Sequence, residues 1–113
     1  VEKTLFIMLK RKYLITKVKF DLIYKKGKSK NANYLYIKYL PNNKDYSQFG
    51  IVISKKREKL AVNRNRLKRI IKSEIFNCLD NIKKGYYFII IIKKIVSEDI
   101  LKQELINTIK SIN

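Results

Sequence analysis

The sequence predicts a single α+β domain, an α/β sandwich of order α-β-β-β-α-β-α in which helices cover a four-stranded sheet. Three stretches carry that expectation. Leu60 to Leu79 repeats apolar residues at helical spacing, so that Leu67, Ile70, Ile71, Glu74 and Cys78 gather on one side at about 100° per residue. Asn33 to Leu40 alternates with the period of a strand, Leu35, Ile37 and Tyr39 facing one way and Tyr34, Tyr36 and Lys38 the other. Tyr86 to Ile92 is unbroken apolar sequence rich in β-branched and aromatic residues, the pattern of a strand covered on both faces. With 113 residues the chain can bury one core but not two, and residues 1–113 form one domain without repeats.

In chain order, residues 1–15 read as an arm: an apolar pentad, Leu5 to Leu9, then a basic end, Lys10-Arg11-Lys12-Tyr13, on the surface. Thr16 is placed to cap a short helix that ends at Gly27, a residue suited to a left-handed C-terminal position. Phe20, Ile23, Tyr24 and Gly27 share one face of it, and an aromatic pair at that spacing is ordinarily core. Lys28 to Ala32 is a polar stretch suited to a short edge strand. After Asn33–Leu40, Pro41-Asn42-Asn43 breaks the strand and Lys44-Asp45 extends the turn. Phe49 to Ser54 is the next strand, expected antiparallel to the last because the connection is short. Phe49, Ile51 and Ile53 are its apolar set, while the small Gly50, Val52 and Ser54 would leave an open floor on the other face. A charged loop, Lys55 to Lys59, leads into the central helix, and Asp80 to Gly85 turns the chain toward Tyr86. Ser97 then caps a last helix with Glu98 and Asp99 in its first turn, where the helix dipole favours acids, and Leu101, Leu105, Ile109 and Ile112 line its inner side.

Charge narrows the function. Lys and Arg number 27 against 9 acids, a net charge of +18, with an ordinary 46% apolar share. Self-repulsion of that size in a folded domain points to a bound polyanion: nucleic acid first, an anionic membrane surface second. Lys, Ile, Asn and Tyr are all abundant, as in a gene biased toward A and T, so position counts for more than number. Position singles out Ala61 to Lys72. On that helix Asn65, Lys68, Arg69 and Lys72 lie opposite the apolar side, with Arg64 and Arg66 on its two margins. Guanidinium groups make directional, forked hydrogen bonds to phosphate, and an amide can both donate and accept.

Catalytic classes find little support. A metal-dependent nuclease needs several carboxylates converging on its ions, and the acids here are dispersed: Glu2, Asp21, Asp45, Glu58, Glu74, Asp80, Glu98, Asp99 and Glu104. The chain has no histidine and only scattered glycines, at 27, 50 and 85, so it offers no imidazole acid/base and no phosphate-cradling loop. Cys78 is the only cysteine and reads as a small buried hydrophobe; no internal disulfide or Cys/His metal site is possible. The longest apolar run falls far short of the ~20 residues that span a bilayer. Leu5–Leu9 is followed, not preceded, by its positive charges, a poor signal peptide. A cytoplasmic location fits, with no membrane and no small-molecule substrate.

Three motifs at consistent spacing resemble the protein subunit of bacterial ribonuclease P: Ala61-x-x-Arg64-Asn65-Arg66-Leu67-Lys68-Arg69-Ile70-Ile71-Lys72, Phe49-Gly50-Ile51-Val52-Ile53-Ser54-Lys55-Lys56, and Phe20-x-x-Ile23-Tyr24-x-x-Gly27. The resemblance runs from about residue 10 to 112, and its long R-N-R motif is the specific part. It implies an RNA subunit that is the ribozyme and binds the catalytic Mg2+, with the protein assisting removal of the 5′ leader from precursor tRNA. It implies RNA contact by Arg64, Asn65, Arg66, Lys68, Arg69 and Lys72, together with Lys55 and Lys56 of the Ser-Lys-Lys strand end. It places a leader-binding cleft between the first helix and the sheet, so that Phe20 and Tyr24 become ligand-facing. The alternating strand adds Tyr36 and Lys38. It also implies a left-handed crossover from the strand before the R-N-R helix to the strand after it. One departure stands out: many members carry a Val-Gly or Ile-Gly pair after Ser-Lys-Lys, whereas Arg57-Glu58-Lys59-Leu60 is free of glycine. The competing readings are a ribosomal protein that only positions RNA and, more remotely, a stand-alone nuclease.

Overall fold

The computed structural model describes residues 13–56 and 58–112. Its elements are α1 (Lys17–Lys26), β1 (Lys28–Asn31), β2 (Leu35–Pro41), β3 (Gln48–Val52), α2 (Ala61–Asn77), β4 (Tyr86–Ile92) and α3 (Glu98–Lys110), with one 3₁₀ turn at Leu79–Asn81. The predicted order therefore holds. The N-terminal pentad, Lys10–Lys12 and Arg57 lie outside the described residues.

One mixed sheet of order β1-β2-β4-β3 organises the molecule. β4 takes the interior because it alone is apolar on both faces: Phe88 and Ile90 point to one side, Ile89 to the other, and all three are fully buried. It pairs antiparallel with β2, through Ile37↔Ile90, and parallel with β3, through Ile51↔Ile90. The expected antiparallel relation of β3 to β2 holds in direction, without direct pairing, because β4 lies between them. A short connection brings strand ends near each other without requiring that they pair. Residues 42–47 span the two inter-strand steps, about 10 Å, by wrapping the start of β4. The Asn42 side-chain amide donates to the carbonyls of Tyr46 (3.1 Å) and Tyr86 (3.2 Å). Ser47 Oγ donates to the Lys83 carbonyl at 2.6 Å and accepts from the Tyr86 amide at 3.2 Å. Parallel neighbours need a crossover connection, and α2 is that connection.

The two faces of the sheet are covered unequally. On one, Leu35, Ile37, Phe49, Phe88 and Ile90 pack against Ile71 and Ile75 of α2 and Leu101, Leu105 and Ile109 of α3. Phe88 is flanked by the rings of Phe49 and Tyr86, each with its centroid 5.7 Å away. Buried side chains of this size each contribute about 1.5–3 kcal/mol, so most of the stability resides on this side. Among the described residues, α1 is the one helix on the other face, and its fully buried Ile23 meets Ile15, Tyr87 and Ile89.

Helix ends follow the sequence in part. Ser97 Oγ caps α3 by accepting from the Ile100 amide at 3.4 Å. Thr16 stands at the N-cap position of α1 without a side-chain cap bond. Gly27 ends α1 with φ −73°, not the expected left-handed conformation. Its lack of a side chain matters for another reason: a Cβ there would lie 2.5 Å from the Ile23 carbonyl oxygen and 3.1 Å from that of Tyr39. Tyr34 is also corrected. β2 begins one residue later, and Tyr34 belongs to the turn, where its amide donates to Glu104 Oε2 of α3 at 3.0 Å and its ring packs against the α2/α3 side. The Glu104 carboxylate also accepts from the Asn33 amide, so one α3 side chain holds this turn in place.

Candidate nucleic-acid interface

Beneath α1 the sheet has a small-residue strip, and the helix fills part of it. Gly50 faces α1, and a Cβ added there would sit 2.5 Å from Phe20 Cζ, so the Phe20 ring lies directly on the glycine backbone. One turn later on α1, the Tyr24 ring is 6.4 Å from that of Phe20 and tilted by 33°. Lys38 of β2 reaches across to this pair: its Nζ donates to the Tyr24 carbonyl at 3.3 Å and stands 5.7 Å from the centre of the Tyr24 ring. Tyr24 is 36% exposed. Burial, with a smaller contribution from Tyr36, holds its hydroxyl above the ordinary tyrosine range.

Beside α1 the cross-strand register aligns Tyr36, Ile91 and Val52 in one half-buried row. The result is a groove with an aromatic wall, Phe20 and Tyr24, an apolar floor, Val52 and Ile91, and a lysine at its back. All four sequence-selected residues, Phe20, Tyr24, Tyr36 and Lys38, thus come together. The sequence assigns Val52 to the floor by its small size. It does not single out Ile91, because that place depends on the β3–β4 pairing, and nothing in an unbroken isoleucine run announces its partner strand.

The second surface is α2. Its inner side matches the sequence reading: Ile71 and Ile75 are buried, and Leu67, Ile70, Glu74 and Cys78 half-buried. Cys78 Sγ lies 3.8 Å from Glu74 Oε2. Burial, and then the neighbouring carboxylate, push its thiol pKa up, the opposite of an activated nucleophile. On the outer side Asn65 and Arg69 are exposed and Lys68 and Lys72 half-exposed. Among the described residues, no hydrogen bond or ion pair engages the side chains of these four.

The margins of the helix behave differently. Arg64 Nη1 donates to two successive carbonyls of the preceding loop, Glu58 at 2.8 Å and Lys59 at 3.0 Å. Arg66 pairs with Glu98 of α3 at 3.3 Å, an exposed contact with side chains 65% and 42% accessible. Lys55 and Lys56 are exposed at the turn where β3 leaves the sheet.

Among the described residues no three His, Cys, Asp or Glu side chains are placed to share a metal ion. No described helix is long and apolar enough to cross a membrane.

Fold and surfaces together define a strongly basic α/β sandwich with a cationic helix face and a separate aromatic groove. The family model for ribonuclease P matches residues 8–113. The ribonuclease P protein component of Clostridioides difficile is 40% identical over 94 residues, covering 82% of this chain and 81% of the relative. Among solved structures, the RNase P protein of Thermotoga maritima superposes with a TM-score of 0.81 at 30% identity, covering 88% of this chain and 97% of the other. A Staphylococcus aureus RNase P protein mutant with defective mRNA degradation activity superposes with a TM-score of 0.83 at 26% identity, covering 96% and 94%. The chain belongs to the ribonuclease P protein component family, the protein side of a ribonucleoprotein endoribonuclease of tRNA processing.

Proposed function

We propose that this protein binds the catalytic RNA of ribonuclease P through α2 and the loop before it, and binds the 5′ leader of precursor tRNA in the groove beneath α1. In this reading Asn65, Lys68, Arg69 and Lys72 face the RNA, with Arg64, Arg66, Lys55 and Lys56 at the edges of the contact. The lysines and Arg69 neutralise phosphates and release counterions. Phe20 and Tyr24 offer ring faces to unstacked leader bases, Tyr36 extends that surface, and Lys38 holds Tyr24 in place while adding positive charge. The RNA subunit carries the cleavage chemistry and its Mg2+, and the cytoplasm is the setting. The observation that supports the division most directly is the convergence of Phe20, Tyr24, Tyr36 and Lys38 on one groove, apart from the cationic helix face.

Reconstitution with the cognate RNA at low magnesium tests the reading. Added protein is expected to raise the rate of precursor tRNA cleavage, and the complex is expected to bind precursor tRNA more tightly than mature tRNA. Unchanged cleavage would reject the subunit role. Equal affinity for the two tRNAs, with RNA binding intact, would favour the ribosomal-type alternative, in which the protein only positions RNA.

A further inference from the structure

We infer that Arg64 is a positioning residue of the RNA interface: it fixes the loop that presents Lys55, Lys56 and Lys59, rather than taking a phosphate itself. This rests on the reading of that loop and α2 as an RNA contact.

The loop between β3 and α2 has a reason to need such a fastener. It contains no glycine and carries lysines at 55, 56 and 59, all exposed and mutually repelling. Left to itself it would spread. Three contacts close it. The Glu58 amide donates to the Ser54 carbonyl at 3.1 Å, which brings the two ends of the loop's first part together. The Glu58 carboxylate then accepts from the Leu60 amide at 3.2 Å. Arg64, one turn into α2, reaches back to the Glu58 and Lys59 carbonyls. Those two bonds engage both protons of Nη1, because an Nη nitrogen carries two. They come from a regular helix, where the Arg64 amide donates to the Leu60 carbonyl at 3.1 Å, so the side chain ties a soft segment to a stiff one. α2 lacks a side-chain cap at Leu60 and has no acid in its first turn. Glu58 and Arg64 together therefore define where strand gives way to helix. A loop ordered before binding loses less conformational freedom on contact, so its lysines count for more.

The test uses the full chain and the RNA subunit of ribonuclease P, with affinity measured across a salt series. Arg64→Lys keeps the charge, but its ammonium ends one bond short of the two carbonyls. It is expected to weaken binding about tenfold (~1.4 kcal/mol), and to add nothing further when placed on a Lys55→Gln, Lys56→Gln, Lys59→Gln background. Wild-type affinity for Arg64→Lys, or an undiminished loss on that background, would overturn the inference and indicate a phosphate held by the other edge of the guanidinium. Hydrogen exchange supplies a second readout. In Arg64→Lys the Leu60 amide should exchange faster while amides inside α2 do not. Acceleration along the whole helix would also overturn the inference, because Arg64 would then be maintaining the fold rather than the loop. Arg69→Gln is the control for the underlying reading. If neither it nor the triple lysine variant weakens RNA binding, the interface itself is misassigned. If both do and the Arg64 effect is additive, only the positioning role fails.

Discussion

The groove beneath α1 and the outer face of α2 are both rich in residues that nucleic acids favour, yet they are built in opposite ways. In the groove nearly every side chain is fixed by a neighbour within the chain: Phe20 by the bare backbone of Gly50, Tyr24 by Phe20 and Lys38, Lys38 by the Tyr24 carbonyl. On α2 the backbone is fixed but the outward side chains Asn65, Lys68, Arg69 and Lys72 have no such partners among the described residues. A surface whose shape is set in advance can discriminate between ligands. A surface of long, unpaired cations supplies attraction that falls with salt and reads little sequence. The two regions should therefore fail differently when altered.

Removing the Phe20 ring from the wall of the groove gives the largest expected effect. Phe20→Ala should weaken binding of leader-bearing precursor tRNA by about 1–3 kcal/mol per stacked base, roughly 5- to 150-fold, and leave mature tRNA almost untouched. The comparison breaks if the variant instead unfolds about 3–5 kcal/mol more easily with no change in selectivity, for Phe20 would then be ordinary core. Its partial exposure and its seat on one glycine place it at the edge of the smaller cluster, not in the main core.

Gly50→Ala probes the same seat from below. The new methyl would need the Phe20 ring to move, because 2.5 Å is closer than any real contact. Overpacking of this kind costs about 1–3 kcal/mol. Since the ring can swing toward solvent, much of that strain should be relieved by giving up the groove. The expected outcome is about a tenfold loss of leader discrimination with a small drop in melting temperature. Wild-type discrimination would mean that the groove tolerates a displaced ring, and hence that its shape is not set in advance.

How much of this the sequence discloses depends on whether a feature is local. The amphipathic face of α2, the bounds of β4 and the Ser97 cap are written in spacings of a few residues, and the structure reproduces them. The insertion of β4 between β2 and β3 is not local: it rests on hydrogen bonds that tie residues 42–47 to residues 83–86. Gly27 has the same character, since what excludes a side chain there is the carbonyl of Tyr39, on another element. For the site, helical spacing put Phe20 and Tyr24 on one face but could not decide between core and surface; family resemblance supplied the cleft. The partners of Arg64 and Arg66 were beyond reach, because a helical wheel marks a margin residue without showing what lies beside it.

A smaller effect, of a different kind, is expected on the helix. Arg69→Gln should reduce the slope of log affinity against log salt by roughly one, which is about a five- to eightfold loss at 0.1 M salt that fades toward 1 M. Precursor and mature tRNA should be affected alike, because the lost contact carries no leader information. An unchanged slope would remove Arg69 from the set of phosphate contacts. A loss confined to leader-bearing substrate would blur the distinction between the two surfaces.

The smallest expected change runs in the opposite direction. Arg66 on the α2 margin is held by Glu98, and exposed ion pairs of this type contribute only about 0–1 kcal/mol to stability. Glu98→Gln should therefore leave folding nearly unchanged, apart from a slight loss at the start of α3, where an acid favours the helix dipole. In the proposed RNA contact the same carboxylate would compete: it occupies Arg66 and places a negative charge beside the cationic face. Its removal should tighten binding by about two- to fivefold at low salt, with the gain shrinking as salt rises. The salt series is what makes this informative. A gain that persists at high salt would have to come from a new packing contact, whereas weaker binding would show that Glu98 aims Arg66 at the RNA. In that case the margin of α2 would resemble the groove, ordered by partners within the chain, and the contrast between the two surfaces would hold only for Asn65, Lys68, Arg69 and Lys72.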